Sequence, residues 1–131
     1  MSSQVKFDSG RTGKGAAYVS DHSASAHAKF MRLSAKALLP LGLFAAWTLV
    51  GLVGKSYDAA RADLGRPFVA ATLIAFIWIA SLHARQGACE IIEDYVHDEP
   101  LKEKALLANK WLSLGFAAVW TLALAIIVAT H

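Results

Sequence analysis

One polar stretch of the chain, LHARQGACEIIEDYVHDEP, contains side chains that could bind a redox group. Their spacing is that of one face of a helix. At 100° per residue, offsets of 4, 7 and 11 residues from His83 return close to the same face of a helix. These offsets carry Gly87, Glu90 and Asp94, and Tyr95 lies about 120° round the helix. An imidazole can ligate haem iron, and a phenol beside a carboxylate can hydrogen-bond a quinone carbonyl.

The helix that positions these residues is predicted to begin at Pro67, because proline suits the first turn of a helix. Continued to about Val96, it would span roughly 45 Å, which exceeds a hydrocarbon core of about 30 Å. Its end is therefore expected to project into the membrane interface. His83 lies about 24 Å from Pro67 along the axis, within the membrane. A polar stripe at that depth is expected to face a bundle rather than lipid.

Three apolar blocks predict three transmembrane helices. Each block is uncharged and 18 to 20 residues long, or about 27–30 Å as a helix, which matches a hydrocarbon core. The 131-residue chain is 56% hydrophobic, which is high for a soluble domain of its size. The blocks are 37–54, 67–84 and 111–130. We predict an all-α fold, an integral membrane bundle of three transmembrane helices that packs with a partner anchor subunit.

The basic residues predict the orientation and the domain organisation. Ten of the thirteen Lys and Arg residues lie in the N-terminal segment or the second connection, and three lie in the first loop. The positive-inside rule therefore predicts a cytoplasmic N-terminus and a periplasmic C-terminus. Residues 1–32 are predicted to form a cytoplasmic tail and residues 33–131 a membrane anchor. The anchor helices are predicted over about 33–54, 67–96 and 105–130.

Several function classes are disfavoured by the sequence. The net charge of +3 comes without a basic patch interleaved with aromatic residues, so no nucleic-acid partner is expected. The single Cys89 excludes an internal disulfide and cannot by itself make a zinc or iron–sulfur site. The loops are too short to form a separate soluble domain. The sequence also lacks the internal repeat that is typical of transporters, so a transporter is not expected. The expected contacts are membrane lipid and a larger membrane bundle.

From the residues alone, each polar side chain keeps more than one interpretation. A neutral imidazole at His83 could hydrogen-bond a neighbouring helix, or it could ligate haem iron. Arg85 could extend to the lipid headgroups, and Tyr95 could be an ordinary aromatic residue of the membrane interface. The acids at the end of the stretch could simply emerge into water.

The motif HARQG…EDYVH resembles the small membrane-anchor subunit of succinate dehydrogenase, respiratory complex II. That family pattern has a haem-ligating His eleven residues before an Asp-Tyr pair, with a Gly four residues after the His. Upstream, HAKFMRLSAKALLPL is similar to the stretch in bacterial members that carries a His and, five residues on, an Arg. The matching positions are His27 and Arg32, and the resemblance covers roughly residues 27–131.

The resemblance implies a subunit of succinate:ubiquinone oxidoreductase in the bacterial inner membrane, with no activity alone. Its implied partners are a flavoprotein subunit, an iron–sulfur subunit and a large cytochrome b anchor subunit. His83 would be one axial ligand of a haem b shared with the large anchor subunit. Tyr95 would hydrogen-bond ubiquinone, the substrate, and Asp94 would help to orient it. The residues expected near the haem propionates are Arg32, His27 and, by our own inference, Arg85.

Two other functions stay open at this stage. A non-enzymatic scaffold or assembly subunit would use the polar stripe only to dock a partner helix. A haem b anchor of a related fumarate reductase would share the fold, which does not fix the direction of the reaction.

Overall fold

The computed structural model describes the backbone of residues 12–130 and the side chains of residues 25–130. The elements are α1 (Thr12–Leu52), α2 (Tyr57–Leu64), α3 (Pro67–Tyr95) and α4 (Glu99–Ala129), and this part of the chain contains no strand. Three segments are long and apolar enough to cross a membrane. They are Ser25–Leu52, Pro67–Tyr95 and Glu99–Ala129. The predicted all-α fold with three membrane-spanning helices is confirmed, and the packing with a partner subunit stays a prediction.

The chain divides into two compact units, Met1–Leu33 and Ser34–His131. The N-terminal unit contains the first part of α1, and the packing described below is that of the second unit. The assignment of residues 1–32 as a cytoplasmic tail stays a prediction.

Two helices begin earlier than the sequence patterns suggested. Helix α1 starts at Thr12 rather than at about 33, and residues 24–39 are rich in the helix formers Ala, Lys, Arg and Leu. Helix α4 starts at Glu99 rather than at about 105. Asp98 caps its N-terminus, since a carboxylate oxygen accepts a hydrogen bond from the Leu101 N–H at 3.2 Å. Pro100 in the first turn strengthens this start signal.

The first connection contains a short helix, α2, that was not predicted. The Ser56 hydroxyl caps it by accepting a hydrogen bond from Ala59 N–H at 3.3 Å. Asp63 in its last turn pairs with Lys55 and Arg66. The hydrogen bond from Lys55 holds the pKa of the Asp63 carboxyl below its ordinary value, and the positive charges of both basic residues act in the same direction.

Helix α2 is attached to the end of the last membrane helix. Arg61 Nη2 donates a hydrogen bond to the Thr130 carbonyl at 3.1 Å and another to the hydroxyl of the same residue. A cation beside the last carbonyls of α4 also interacts favourably with the helix dipole. The first connection and the end of α4 therefore lie at the same end of the three-helix unit, as three membrane crossings require.

The core of the second unit is small. Helices α3 and α4 pack along each other, and Trp78 Nε1 on α3 donates to Thr121 Oγ1 on α4 at 2.9 Å. Among the described residues, the buried apolar side chains are Ala45, Ala70, Leu73, Ala117 and Leu124. Three of the five are alanines, and small residues allow helix backbones to approach closely in a membrane. Large apolar side chains such as Trp47, 81% exposed, face outwards.

An apolar cavity of about 660 Å³ lies between α1, α3 and α4. Ala45, Phe76 and Phe116 contribute to its walls from the three helices, and the Ser81 side chain lines it on α3. His83 is not among its lining residues. The cavity is therefore separate from the polar stripe that the sequence singled out.

Candidate functional site

His83 on α3 is held by a hydrogen bond to another helix. Its Nδ1 lies 2.7 Å from the Ser34 hydroxyl oxygen on α1, and that serine is only 6% exposed. His83 itself is half-buried. This contact is the neighbouring-helix hydrogen bond that was one of the two interpretations of the imidazole. It engages one ring nitrogen, so that Nε2 is the atom through which the side chain could act as a ligand.

The face of α3 below His83 is open. Gly87 follows one turn later, and a Cβ added there would meet no side chain or other helix within 4 Å. Gly87 is half-buried, whereas Glu90 and Asp94 further along the same face are exposed. The predicted polar stripe thus runs along α3 from a half-buried imidazole to carboxylates at the helix end.

Tyr95 and Asp94 form the end of α3. The Tyr95 side chain is 79% exposed, and the following Val96 N–H closes the helix on the Ile92 carbonyl at 3.0 Å. Tyr95 lies twelve residues after His83, or about 18 Å along the helix axis. One continuous helix therefore carries the imidazole and the phenol at two different depths.

Arg85 lies about 200° round α3 from His83, because it follows by two residues. Its Nε is buried and has no hydrogen-bond partner among the described residues. A buried donor without a partner is costly, so an anionic group at this position would be favourable. On the neighbouring helix, Asn109 Nδ2 donates to the Arg85 carbonyl at 2.9 Å and to Cys89 Sγ at 3.4 Å.

Asn109 and Ser34 were not singled out from the sequence. The signal for Asn109 was available, since an amide within an apolar helix usually hydrogen-bonds across helices. His27 and Arg32 were singled out, and both lie on the part of α1 that belongs to the N-terminal unit. There His27 is half-buried and Arg32 is exposed. Their proximity to a haem stays a prediction.

The donor set fits one half of a bis-histidine haem site. Within the described residues, no group of three or more His, Cys, Asp or Glu side chains could hold a metal ion. His83 offers one imidazole, which is one of the two ligands that a bis-histidine haem needs. The open face at Gly87 leaves room beside that imidazole, whereas Arg85 lies on the opposite side of α3 from His83. The imidazole of His83 and the space at Gly87 therefore fit one side of a haem.

Comparison with known proteins identifies a family. The family model described as "Succinate dehydrogenase/Fumarate reductase transmembrane subunit" matches residues 15–129, most of the chain. No curated protein and no solved structure matches the chain. The resemblance inferred from the His83 and Asp94-Tyr95 motif is confirmed at the level of the family.

Proposed function

The chain belongs to the succinate dehydrogenase/fumarate reductase transmembrane subunit family, and we propose that it is a membrane-anchor subunit of succinate:ubiquinone oxidoreductase. In this role it contributes one axial ligand to haem b and part of the ubiquinone-reduction site. The observation that carries the proposal is the arrangement on α3. A half-buried histidine, an open glycine face and an exposed Asp-Tyr pair follow one another along a single helix of a chain in this family.

His83, through Nε2, is the residue that would hold the haem iron. When bound, haem b supplies a one-electron redox centre inside the membrane. The chain orients the imidazole through the hydrogen bond between its Nδ1 and the Ser34 hydroxyl. It also leaves space beside His83, because Gly87 has no side chain.

Tyr95 and Asp94 are proposed to serve the quinone. The Tyr95 hydroxyl would donate a hydrogen bond to a ubiquinone carbonyl, and the Asp94 carboxylate would orient the phenol or balance charge. Quinone reduction consumes two protons, and groups at the membrane interface can exchange protons with water. The Tyr95 side chain is 79% exposed in this chain and is therefore accessible to a quinone or to a partner subunit.

The proposed surroundings follow from the charge distribution. Ten of the thirteen basic residues lie in the N-terminal segment or the second connection. The positive-inside rule therefore favours a cytoplasmic location for both segments. Tyr95 lies at that side on this orientation. A cytoplasmic iron–sulfur subunit, fed by a flavoprotein subunit, would deliver electrons there, and a large cytochrome b subunit would complete the haem site. The membrane would be the bacterial inner membrane.

The test is a redox difference spectrum of the purified membrane complex with succinate as the reductant. We expect a haem b absorbance that succinate reduces and that ubiquinone reoxidises. A complex that contains this chain and no haem would contradict the proposed function.

Two observations keep other functions in view. The family model covers fumarate reductase subunits as well, and a complex that oxidises quinol with fumarate in preference to reducing quinone with succinate would indicate that assignment. The Ser34–His83 hydrogen bond would also suffice for a scaffold subunit. That function predicts neither haem nor succinate-linked activity.

Replacing Gly87 by leucine is expected to lower the haem content of the complex several-fold. The first atom of the new side chain meets no other part of the chain, because nothing lies within 4 Å of a Cβ at this position. The larger leucine side chain would occupy the space in which the haem is proposed to lie. The measurement is the ratio of haem to protein in the purified complex, with all subunits quantified.

Gly115→Leu is the matched control, because Gly115 is also helical and also has nothing within 4 Å of an added Cβ. It is expected to keep the haem content of the unchanged protein. Equal haem contents in the two variants would contradict the proposal that haem packs against Gly87.

A further inference from the structure

We infer that Ser34 is a positioning residue for His83: its hydroxyl accepts a hydrogen bond from Nδ1–H and so holds the imidazole in the tautomer that leaves Nε2 free to bind iron. The inference rests on the proposed function, because it assumes that His83 is the haem ligand. It adds a residue from another helix, α1, to the site. Neither the sequence motif nor the family match identifies that residue.

The contact itself is strong and sheltered. The two atoms are 2.7 Å apart and join positions 49 residues apart in the chain, so the hydrogen bond depends on tertiary packing. Ser34 is 6% exposed and His83 is half-buried, which limits competition from water. A hydrogen bond in such surroundings is stronger electrostatically than one in water.

The direction of this hydrogen bond decides whether the imidazole can ligate. A neutral imidazole carries one N–H, on either Nδ1 or Nε2. If the serine donated to Nδ1, the proton would lie on Nε2 and block it. If Nδ1–H donates to the serine, Nε2 keeps its lone pair. A serine inside a helix can donate its own hydrogen to the carbonyl one turn earlier, which leaves its oxygen able to accept.

The expected effect on the metal follows from the same bond. Histidines that bind metals usually donate their other ring N–H to an acceptor, which fixes the ring orientation and raises the basicity of the ligand. A more basic ligand favours Fe(III). Losing the acceptor should therefore shift the Fe(III)/Fe(II) ratio at a fixed potential about threefold to tenfold towards Fe(II). At 59 mV per tenfold change for one electron, this corresponds to a midpoint potential about 28–59 mV more positive.

The experiment uses the assembled complex with three substitutions at Ser34. Ser34→Ala removes the acceptor, Ser34→Cys keeps the size with a weaker acceptor, and Ser34→Thr retains the hydroxyl. Ser81→Ala is the control, because Ser81 is a second buried serine, 8% exposed, whose side chain lines the apolar cavity. The readouts are the haem midpoint potential and the low-spin electron paramagnetic resonance spectrum, in addition to haem content.

We expect a more positive potential and altered g values in the Ala variant, a smaller change in the same direction in the Cys variant, and values near the original for Thr and for Ser81→Ala. If Ser34→Ala does not assemble, the Cys variant gives the same comparison. Unchanged potential and g values in a haem-loaded Ala or Cys variant would overturn the inference, as would an equal shift in Ser81→Ala. Absence of haem from the unsubstituted complex would instead refute the proposed function.

Discussion

Replacing His83 by alanine is expected to abolish the bis-histidine haem b spectrum of the complex. The reason is that His83 is the only histidine of α3 and, in the proposed function, the residue that would hold the haem iron. The haem would either be lost or become high-spin with one axial ligand. We expect the low-spin absorbance to fall by more than about tenfold. The lost iron–imidazole bond lowers the free energy of haem binding, and a loss of about 1.4 kcal/mol already lowers the binding constant tenfold.

His97→Ala is the control for this experiment. His97 lies just beyond the end of α3, is exposed, and has its Nδ1 within 3.1 Å of the Tyr95 carbonyl oxygen. It is expected to leave the haem spectrum unchanged. A complex that assembles with His83→Ala and keeps an unaltered low-spin spectrum would exclude His83 as the ligand, and the Ser34 hydrogen bond would then be purely structural.

Tyr95→Phe is expected to slow ubiquinone reduction by about tenfold while succinate oxidation by soluble dyes continues. The change removes one hydroxyl, and a single hydrogen bond contributes about 1 kcal/mol on average and more when a buried partner is left unsatisfied. Folding of the chain should not suffer, because the Tyr95 side chain is 79% exposed within it. The measurement compares two steady-state rates of succinate oxidation. One uses a ubiquinone analogue as the electron acceptor, and the other uses a soluble dye that accepts electrons without the membrane quinone site.

Tyr57→Phe provides the matched comparison. Tyr57 begins α2, at the opposite end of the second unit from Tyr95, and its side chain is 77% exposed. Both substitutions remove a phenol oxygen from an exposed tyrosine, and only the one at Tyr95 should affect quinone turnover. Normal quinone reduction in Tyr95→Phe would remove this residue from the mechanism.

The membrane helices could be predicted because their signal is a one-dimensional property of the sequence. An uncharged run of 18 to 20 residues identifies a span whatever it packs against. The described helix α3 ends at Tyr95. Helix α2 and the early start of α4 were missed, although Ser56 and Asp98 are good capping residues. Their signals are local and were outweighed by the search for long apolar runs.

The candidate site was only partly predictable. Helical periodicity alone grouped His83, Gly87 and Asp94 on one face, because that grouping needs no tertiary information. The partner of His83 could not be found in this way. Ser34 is one of several serines in the chain, and the rotation and depth of α1 against α3 decide which of them reaches the imidazole. Those quantities depend on side-chain packing between helices.

The small core of the second unit has a consequence for the abundance of the protein in a cell. Each helix can persist in the bilayer by itself, but the five buried apolar side chains of the described residues, three of them alanines, provide little free energy to fix the helices against one another. Association with other subunits then supplies the remainder, and by mass action the fraction of correctly arranged chains rises with their concentration. Chains made in excess of their partners would be the first substrates of membrane proteases, so the stoichiometry of the complex would be corrected after synthesis.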